Sequence, residues 1–276
     1  MKFSIITPSF RNSEWLKLCI ASVADQGVAL EHLVQDAGSD DGTLDWLPRD
    51  PRVTAFVEQD AGMYDAINRG LRRASGDVLA YLNCDEQYLP GALAAVAEFF
   101  HAHPEVEILF GDAVAVNAGG DYLWHRKMLR PLLWHTGACH LATLSCAMFF
   151  RRSVIERRQL FFDPRWRYAG DREWMVRLIQ HGVGMGVIRR FTSVFTHTGE
   201  NISLQGGAPA EWRALDAAAP APVRAVKPLI IAHHRVRRLL GGIYSQAPFD
   251  FSLYTRAQPE RRVVRPAARP TSRWRW

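Results

Sequence analysis

The chain has 276 residues, of which 48% are hydrophobic and 22% charged, a balance typical of a folded protein with a large core. It has no run of eighteen apolar residues and no long apolar region near its start, which argues against a transmembrane helix and a secretory signal. The net charge of +6 is uneven, because residues 224–276 hold twelve Lys and Arg against two acids (12 − 2 = +10), which leaves 6 − 10 = −4 for the rest.

The first part of the chain alternates short apolar strands with amphipathic helices. Strands are predicted in "FSIITP", "LEHLVQD", "TAFV", "VLAYL" and "VEILFG". Helices are predicted after Ser13, which is expected to cap the first of them, and in "GMYDAINRGLRRAS" and "GALAAVAEFF". Such alternation indicates βαβ units, so the sequence predicts an α/β fold with a Rossmann-like, mostly parallel sheet flanked by helices.

The later part of the chain is more varied. A hairpin is predicted around residues 117–121, a strand in "CAMFF", a helical turn in "SVIERR" and a helix in "DREWMVRLIQHG". After Gly206 the composition changes and "AAAPAP" is typical of a linker. We therefore predict one domain over residues 1–205, followed by residues 206–276 as a linker, a basic amphipathic helix and an Arg/Trp-rich tail.

Polar residues collect where the predicted strands end. Thr7, Pro8 and Ser9 follow the first strand, Asp36 the second, Asp60 the third, and "NCDE" (residues 83–86) the fourth. Right-handed crossovers bring these ends to one edge of a parallel sheet, which is where ligands bind in such folds. The alternative is that each residue only forms a turn, because Asp, Asn and Pro favour turns.

Four segments give the sequence a family resemblance. They are "IITPSFRN", "VQDAGSDDGT", "EQDAGMYDAINRGLRRASGDVLAYLNCDE" and "YAGDREWMVRL", within residues 1–205. The chain resembles family 2 glycosyltransferases, which have the GT-A fold, and the third segment resembles bacterial members that build surface polysaccharides. The resemblance implies an inverting, metal-dependent hexosyltransferase-type enzyme that transfers a sugar from a nucleotide-diphosphate sugar, with UDP-sugars favoured, to a hydroxyl group.

The same resemblance implies roles for particular residues. The family's Asp-x-Asp motif matches residues 83–85, where Asn83 replaces the first Asp, so Asp85 is the predicted ligand of Mg²⁺ or Mn²⁺, with Glu86 behind it. His197 is a further predicted metal ligand, although a plain loop histidine is an equal alternative. The remaining predicted nucleotide-sugar contacts are Thr7, Pro8, Ser9, Asp36, Asp60, Tyr64, Asn68, Asn83 and His140.

An inverting transfer needs a base that takes the proton of the acceptor hydroxyl. The matching residue in "AGDREW" is Asp171, and Glu173 is the second candidate. Many relatives have Glu before this Asp, whereas the present chain has Gly170. The alternative role for Asp171 is capping the helix that follows it.

The basic carboxyl-terminal segment suggests a partner. Leu229, Ala232, Val236, Leu239 and Ile243 recur at helical spacing among basic residues, which predicts a basic amphipathic helix. Such a helix either lies on an anionic membrane surface or packs its apolar stripe on the main domain. The end, "RPTSRWRW", could bind membrane, nucleic acid or neither.

We expect a cytoplasmic enzyme, peripheral on the inner face of the cell membrane, with a glycan or lipid-linked sugar as acceptor; nucleic acid is a disfavoured partner. One rival is a nucleotidyltransferase, which would carry a Gly-rich loop after the first strand, and "TPSFRNSE" has no Gly. The other rival is a non-enzymatic polyanion- or membrane-binding protein that acts through the basic tail, but it leaves the strand-end acids unexplained.

Overall fold

A computed structural model describes residues 1–199, 201 and 207–274. Its strands are β1 (Phe3–Ser9), β2 (Leu30–Asp36), β3 (Thr54–Val57), β4 (Val78–Tyr81), β5 (Glu86–Tyr88), β6 (Ile108–Asn117), β7 (Tyr122–Arg126), β8 (Met148–Arg151), β9 (Met185–His197), β10 (Phe249–Thr255) and β11 (Gln258–Ala267). Its helices are α1 (Ser13–Ala24), α2 (Thr43–Trp46), α3 (Met63–Arg73), α4 (Ala92–Ala102), α5 (Leu133–Ala138), α6 (Ser153–Glu156), α7 (Gly170–Gln180), α8 (Ala208–Ala218), α9 (Ala221–Ala225) and α10 (Lys227–Leu240). Two short 3₁₀ turns, Leu47–Arg49 and Ser145–Ala147, complete the elements.

One large sheet organises the described chain. Its strand order is β3-β2-β1-β4-β8-β6-β9-β5, and β7 pairs with β6. The half made by β3, β2, β1 and β4 is parallel, as the βαβ pattern predicts, whereas β8 runs antiparallel to both β4 and β6. The parallel half therefore brings the carboxyl ends of four strands to one edge.

The core lies between this sheet and its helices. Strand β4 is buried along its whole length, which is why its sequence is a continuous apolar run rather than an alternating one. Residues Tyr64, Ile67 and Leu71 on one face of α3 belong to the same core cluster. The apolar periodicity of the sequence thus identified the inward faces correctly.

Most predicted elements are present, with differences at two places. The hairpin between β6 and β7 turns at residues 117–121 as predicted. Ser13 is the first residue of α1 rather than its cap, because Asn12 occupies the cap position. The predicted linker is wrong over the described residues that follow Gly206, because helices α8 and α9 occupy 208–225. The predicted domain boundary, between 205 and 206, lies outside the described residues.

The carboxyl-terminal segment folds onto the main sheet. Strands β10 and β11 form an antiparallel hairpin, and Phe251 and Leu253 of that hairpin share an apolar cluster with Val114 and Val194 of β6 and β9. Residue Trp274 lies over the guanidinium of Arg126 in β7, with the guanidinium carbon 5.3 Å from the ring centre. Over its described part, this segment is therefore an ordered layer on the domain.

The predicted basic helix is α10. The packing alternative placed its apolar stripe against the main domain, but that stripe faces outwards. Its buried residues are His234 and Arg238, with 2% and 1% of their surface exposed. Leu239 and Leu240 are 69% and 82% exposed, and Leu229 and Val236 also face outwards. Only Ile243, beyond the helix end, is buried among the predicted stripe residues. Among the helices described, none is long and apolar enough to cross a membrane.

Candidate active site

The first part of the site lies where β1 and β2 end side by side. Ser9 and Asp36 are register partners in the parallel pair, and the Ser9 hydroxyl donates to Asp36 Oδ2 at 2.8 Å. Asp36 also accepts the backbone N–H groups of Gly38 and Ser39 and the Ser39 hydroxyl, at 2.7–2.9 Å. These contacts match the turn alternative, and a nucleotide base could reach the carboxylate only by displacing one of the two hydroxyls.

Thr7 and Pro8 contribute differently to this edge. The Thr7 hydroxyl is fully buried and hydrogen-bonds His32 Nε2 at 2.9 Å, so its side chain faces the core and not the strand ends. The carbonyl oxygen of Pro8 accepts the thiol of Cys84 at 3.2 Å. That contact ties the end of β1 to the "NCDE" segment. All four cysteines of the chain are free and buried.

Asp85 and Glu86 form an acidic pair where the chain enters β5, with Asp85 half-buried and Glu86 buried. Glu86 is 1% exposed, and its Oε2 accepts the backbone N–H of Asn83 at 2.9 Å. Burial raises the pKa of Asp85, and burial together with the charge of Asp85 raises the pKa of Glu86. Two adjacent carboxylates with raised pKa values are a costly arrangement without a cation to share.

The atoms around this pair fit a divalent cation. Within the part of the chain that the structure describes, Asn83 Oδ1 and Glu86 Oε1 are buried without a hydrogen-bond partner. Both are oxygen atoms, which hard cations such as Mg²⁺ and Mn²⁺ prefer. The amide of Asn83 can therefore supply an oxygen where many relatives have a carboxylate.

The end of β9 closes the other side of the acidic pair. The Asn201 amide nitrogen donates to Asp85 Oδ2 at 3.0 Å and to the carbonyl oxygen of Thr196 at 2.9 Å. His197 lies beside Asn201's segment and packs on Trp124, with ring centres 5.6 Å apart. The role of His197 as a metal ligand stays a prediction. Asn201 was not predicted, and only the antiparallel pairing of β5 with β9 explains why a residue 116 positions away reaches Asp85.

Asp171 is held at the start of α7 by Tyr64 of α3. The Asp171 backbone N–H donates to the Tyr64 hydroxyl at 3.0 Å, and Asp171 Oδ1 accepts the Arg172 backbone N–H at 2.7 Å. Burial raises the pKa of Asp171 to about 6, which is high for a carboxyl group. Asp171 is the second residue of α7, not its cap, so the capping alternative is wrong. Glu173, the second candidate, is engaged by Arg177 at 2.6 Å.

Gly170 explains one departure from the family pattern. A Cβ atom at this position would lie 2.6 Å from a ring carbon of Tyr64, closer than any real contact. A larger residue here, such as the Glu of many relatives, would require Tyr64 to move. The absence of a side chain at Gly170 therefore lets Tyr64 lie where it contacts Asp171.

Helix α8 supports the segment that carries Asp171. The Glu211 carboxylate accepts the backbone N–H groups of Arg167, Tyr168 and Ala169, each at 2.8 Å. The guanidinium of Arg172 contacts Asp216 at 2.5 Å. Neither acid was predicted, because α8 lies in the stretch whose composition indicated a linker. Both matter here because they fix the beginning of α7.

The other predicted contacts fall into two groups. The Asp60 carboxylate accepts the Gly62 backbone N–H at 2.8 Å, and burial raises its pKa, with the charge of Asp36 among the lesser causes. Asp60 therefore lies near the Asp36 edge, as predicted. The Asn68 amide instead clamps the backbone of Phe162 with two hydrogen bonds of 2.8 and 3.0 Å. Asn68 is 3% exposed, so its polarity serves that clamp and its predicted nucleotide contact is not supported.

The buried phenol of Tyr81 links the two acidic parts of the site. Burial raises its pKa far above the ordinary value, and the charges of Asp171 and Glu86 both contribute to the shift. Asp171 and Glu86 therefore both lie close enough to Tyr81, the last residue of β4, for their charges to act on it. His140 lies elsewhere in this region, against His135 of α5, with ring centres 4.6 Å apart.

Comparison with known proteins identifies the family. The profile described as Glycosyl transferase family 2 matches residues 4–158, more than half of the chain. The chain belongs to glycosyl transferase family 2. This finding confirms the resemblance carried by the strand-end motifs, and the enzyme is a glycosyltransferase of this family.

Two mycobacterial relatives are similar in sequence. A "PGL/p-HBAD biosynthesis glycosyltransferase" from Mycobacterium bovis is 32% identical over 183 residues, which cover 63% of this chain and 68% of that protein. An "Uncharacterized glycosyltransferase" from Mycobacterium tuberculosis is 34% identical over 113 residues, covering 39% of this chain and 43% of that one.

Solved structures share the fold. TarS 1-349 from S. aureus in complex with UDP-GlcNAc has a TM-score of 0.65 at 17% identity, covering 87% of this chain and 73% of that chain. A longer TarS structure is covered over 44% of its length, with a TM-score of 0.61. The mannosyltransferase PcManGT from Pyrobaculum calidifontis, in complex with GDP-Man and Mn²⁺, has a TM-score of 0.53 at 16% identity and is covered over 80%. The predicted GT-A fold is confirmed.

Proposed function

We propose that the enzyme is a metal-dependent, inverting transferase that moves a sugar from a nucleotide-diphosphate sugar to a hydroxyl group of a glycan or lipid-linked acceptor. The observation that carries the proposal is that two separate acidic groups, the Asp85–Glu86 pair and Asp171, lie close enough to Tyr81 for their charges to act on it. The two parts have the separate chemistries that such a transfer needs, one for the leaving diphosphate and one for the acceptor proton.

The Asp85–Glu86 pair is the proposed holder of Mg²⁺ or Mn²⁺. Asp85 and the amide oxygen of Asn83 are its proposed ligands, and Glu86 keeps the turn in place through the Asn83 backbone N–H. A divalent cation bound there would neutralise the charge that develops on the leaving nucleoside diphosphate. Asn201, which follows the end of β9, orients Asp85 by donating to its carboxylate.

Asp171 is the proposed general base. The acceptor hydroxyl transfers its proton to the Asp171 carboxylate as its oxygen bonds to the anomeric carbon, and the bond from that carbon to the diphosphate oxygen breaks. Attack from the face opposite the leaving group inverts the anomeric centre. A pKa of about 6 leaves Asp171 ionised at neutral pH and basic enough to accept the proton. Tyr64 of α3 holds the backbone of this residue by accepting its N–H.

The proposal extends to the donor nucleotide and to the acceptor. A uridine donor is favoured by the UDP-GlcNAc bound to TarS, whereas PcManGT binds GDP-Man, so both nucleotides belong in a test. The mycobacterial relative is assigned to glycolipid biosynthesis by its name, which agrees with a lipid-linked acceptor in surface polysaccharide or glycolipid synthesis.

The test is a panel of UDP- and GDP-sugars incubated with the enzyme and Mn²⁺, with release of nucleoside diphosphate as the signal. We expect one donor to be hydrolysed slowly without acceptor, and Asp85→Ala to lose both the hydrolysis and metal-dependent nucleotide binding. Asp163→Ala is the control, because this Asp pairs with Arg165 near the surface. Equal nucleotide and Mn²⁺ affinity in Asp85→Ala and Asp163→Ala would contradict the metal assignment.

We also propose that α10 attaches the enzyme to an anionic membrane surface. The supporting observation is its outward apolar face, formed by Leu229, Val236, Leu239 and Leu240. Arg235 on the same helix is exposed as well, which gives the face the basic border typical of interfacial helices. This location at the cytoplasmic face of the membrane would bring the site to a lipid-linked acceptor.

Co-sedimentation with vesicles tests the membrane proposal. Replacing Leu239 and Leu240 together by Ser should lower binding to vesicles with anionic lipid by at least about tenfold, because each buried Leu contributes roughly 1.5–3 kcal/mol. Val264→Ser is the control, because Val264 is equally exposed on β11. Equal vesicle binding by the two variants would contradict the membrane proposal. A concentration-dependent dimer that only the Leu variant loses would also contradict it and would indicate that a second copy of the chain covers the apolar face.

A further inference from the structure

Three buried histidines meet beneath α10, and we call them the histidine trio: His135, His140 and His234. His135 lies in α5, His140 follows that helix by two residues, and His234 comes from the inner face of α10. One ring nitrogen from each lies within 4.8 Å of the others. The rings of His135 and His234 are stacked with their centres 3.6 Å apart.

The surroundings leave these side chains in an unusual condition. Among the described residues, neither ring nitrogen of His135 or of His234 has a hydrogen-bond partner, although each residue is 2% exposed. A neutral imidazole carries one N–H donor and one lone pair, and burying both unpaired is costly. Packing alone would be served better by Phe or Leu at these positions.

Two members of the trio, His135 and His234, are uncharged at neutral pH. Burial, with smaller contributions from the charges of Arg237 and Arg238, lowers the pKa of His135 to about 2 and that of His234 to about 4. A proton is therefore a poor occupant of this cluster. The lone pairs remain available to a ligand that bonds to nitrogen more strongly than a proton does under these conditions.

We propose that the histidine trio binds a transition-metal ion of the Zn²⁺ class, with three imidazole nitrogens as protein ligands. Zinc bonds to imidazole nitrogen at about 2.0–2.1 Å in tetrahedral sites, which puts neighbouring ligand nitrogens about 3.4 Å apart. The nitrogens of the trio lie within 4.8 Å of one another, and the stacked rings of His135 and His234 would rotate so that one nitrogen of each faces the ion.

The chemistry distinguishes this site from the Asp85–Glu86 pair. Mg²⁺ and Mn²⁺ prefer oxygen ligands, whereas imidazole suits Zn²⁺, Ni²⁺ and Cu²⁺. The guanidinium groups of Arg237 and Arg238 oppose any cation at the trio, so only a metal with strong bonds to nitrogen can bind there. The two sites should consequently differ in metal preference.

Such a metal would join α10 to the catalytic helix. Thr136, next to His135, offers its carbonyl oxygen to the Arg172 guanidinium at 2.7 Å, and Arg172 follows Asp171 in α7. A metal that fixes His234 to His135 therefore links the exposed helix to the frame around the proposed base. The proposed metal site does not depend on which donor or acceptor the enzyme uses.

The test uses the full-length enzyme stripped of metal with EDTA and titrated with Co²⁺, whose visible absorption becomes intense in a tetrahedral site. The parent should bind one Co²⁺ at the trio with this spectrum, and Zn²⁺ should displace it. His234→Ala should weaken binding by about 100-fold or more. His233→Ala is the matched control, because His233 is the preceding residue of α10 and is exposed.

Two further variants separate the alternatives. His234→Phe keeps an aromatic ring on His135 and removes both nitrogens, so it should fold and yet lose the Co²⁺ spectrum. Asp85→Ala should keep it, because that carboxylate belongs to the other site. Zn²⁺ at 100-fold excess over its Kd should raise the Tm of the parent and of His233→Ala by several degrees, but not that of His234→Phe. Absence of a tetrahedral spectrum in the parent, or equal spectra in His233→Ala and His234→Phe, would overturn the proposal.

Discussion

At the scale of single residues, the site depends on how burial changes ordinary carboxyl groups. Asp171 is a short side chain at the start of a helix, a position where Asp is common for reasons unrelated to catalysis. Its contact with Tyr64 and its pKa of about 6 make it different from a helix cap. The Asp171→Asn substitution replaces one carboxylate oxygen by nitrogen. It therefore removes the proton acceptor while keeping the size of the side chain.

Asp171→Asn should fold normally and bind donor normally while transfer falls by about 10²–10⁴-fold at pH 7.5, because the proton acceptor is lost. The folded pKa lies above the ordinary value of about 3.9, so the stabilising contribution of Asp171 is present below that value and is lost as the pH rises through 6. The Asn variant should accordingly melt at or above the parental Tm at pH 7.

Parental turnover should itself decline about tenfold per pH unit below about 6, where Asp171 becomes protonated. The measurements are thermal unfolding, nucleotide affinity and kcat over pH 5–8. Parental turnover in the Asn variant would eliminate the base assignment. Loss of nucleotide affinity would move Asp171 to the donor site.

Gly170→Ala tests the contact between Asp171's helix and Tyr64. Alanine favours helices over glycine by about 1 kcal/mol, but the new methyl group would lie 2.6 Å from the Tyr64 ring. Overpacking of this kind costs about 1–3 kcal/mol, so we expect a lower Tm and slower transfer. Gly137→Ala in α5 is the control, because the nearest atom there is 4.0 Å away. If both variants are equally stable and active, Tyr64 does not hold the site.

At the scale of elements, α8 determines how α7 begins. Three backbone N–H groups ahead of α7 point at one carboxylate, that of Glu211. Hydrogen bonds to charged groups are roughly twice as strong as neutral ones. Helix α8 is therefore part of the frame of the active site, and a protein shortened to residue 205 would lack it.

Glu211→Ala should destabilise the enzyme by about 1–3 kcal/mol, since three backbone donors, two of them partly buried, lose a charged acceptor. Turnover should fall more than donor affinity changes, because the displaced residue is the proposed base. Glu98→Ala provides the comparison: Glu98 is exposed on α4, where such changes stay within about 0.5 kcal/mol. Urea unfolding and steady-state kinetics of the two variants decide the matter, and identical behaviour would exclude a supporting role for α8.

At the scale of the whole molecule, the Asp85–Glu86 pair links stability, metal and pH. Burial raises both pKa values, and the charge of Asp85 raises that of Glu86 further, so the metal-free protein should lose stability as the pH rises and the pair ionises. A divalent cation should offset that loss. Mn²⁺ should therefore raise the Tm more at pH 8 than at pH 6.

Thermal unfolding with and without Mn²⁺ at the two pH values measures this coupling, and Asp85→Ala should abolish the pH-dependent difference. A histidine-based site would respond to Zn²⁺ instead, so titration with Mn²⁺ alone keeps the two proposals apart. A Mn²⁺ effect that is equal at both pH values, or equal in Asp85→Ala, would contradict the metal assignment.

The sequence by itself determined the βαβ half of the fold and the residues at the ends of its strands. Periodicity located β1 to β4 and helices α1 and α3, though not the short α2, since apolar spacing follows directly from the geometry of strands and helices. The motifs at those ends indicated the family, and Asp36, Asp85 and Asp171 were named before their contacts were known. These features are local, so a single chain segment carries each of them.

Tertiary structure alone decided the features that join distant segments. Asn68 is polar because it clamps Phe162, Gly170 is small because Tyr64 lies against it, and Glu211 reaches α7 from a stretch that composition assigned to a linker. The direction of α10 is the clearest case: its apolar face turns outwards because the inner face carries His234 and Arg238, which meet partners from α5 and from Trp274. Amphipathic spacing gives two faces to a helix, and only the surfaces that surround it decide which of the two is buried.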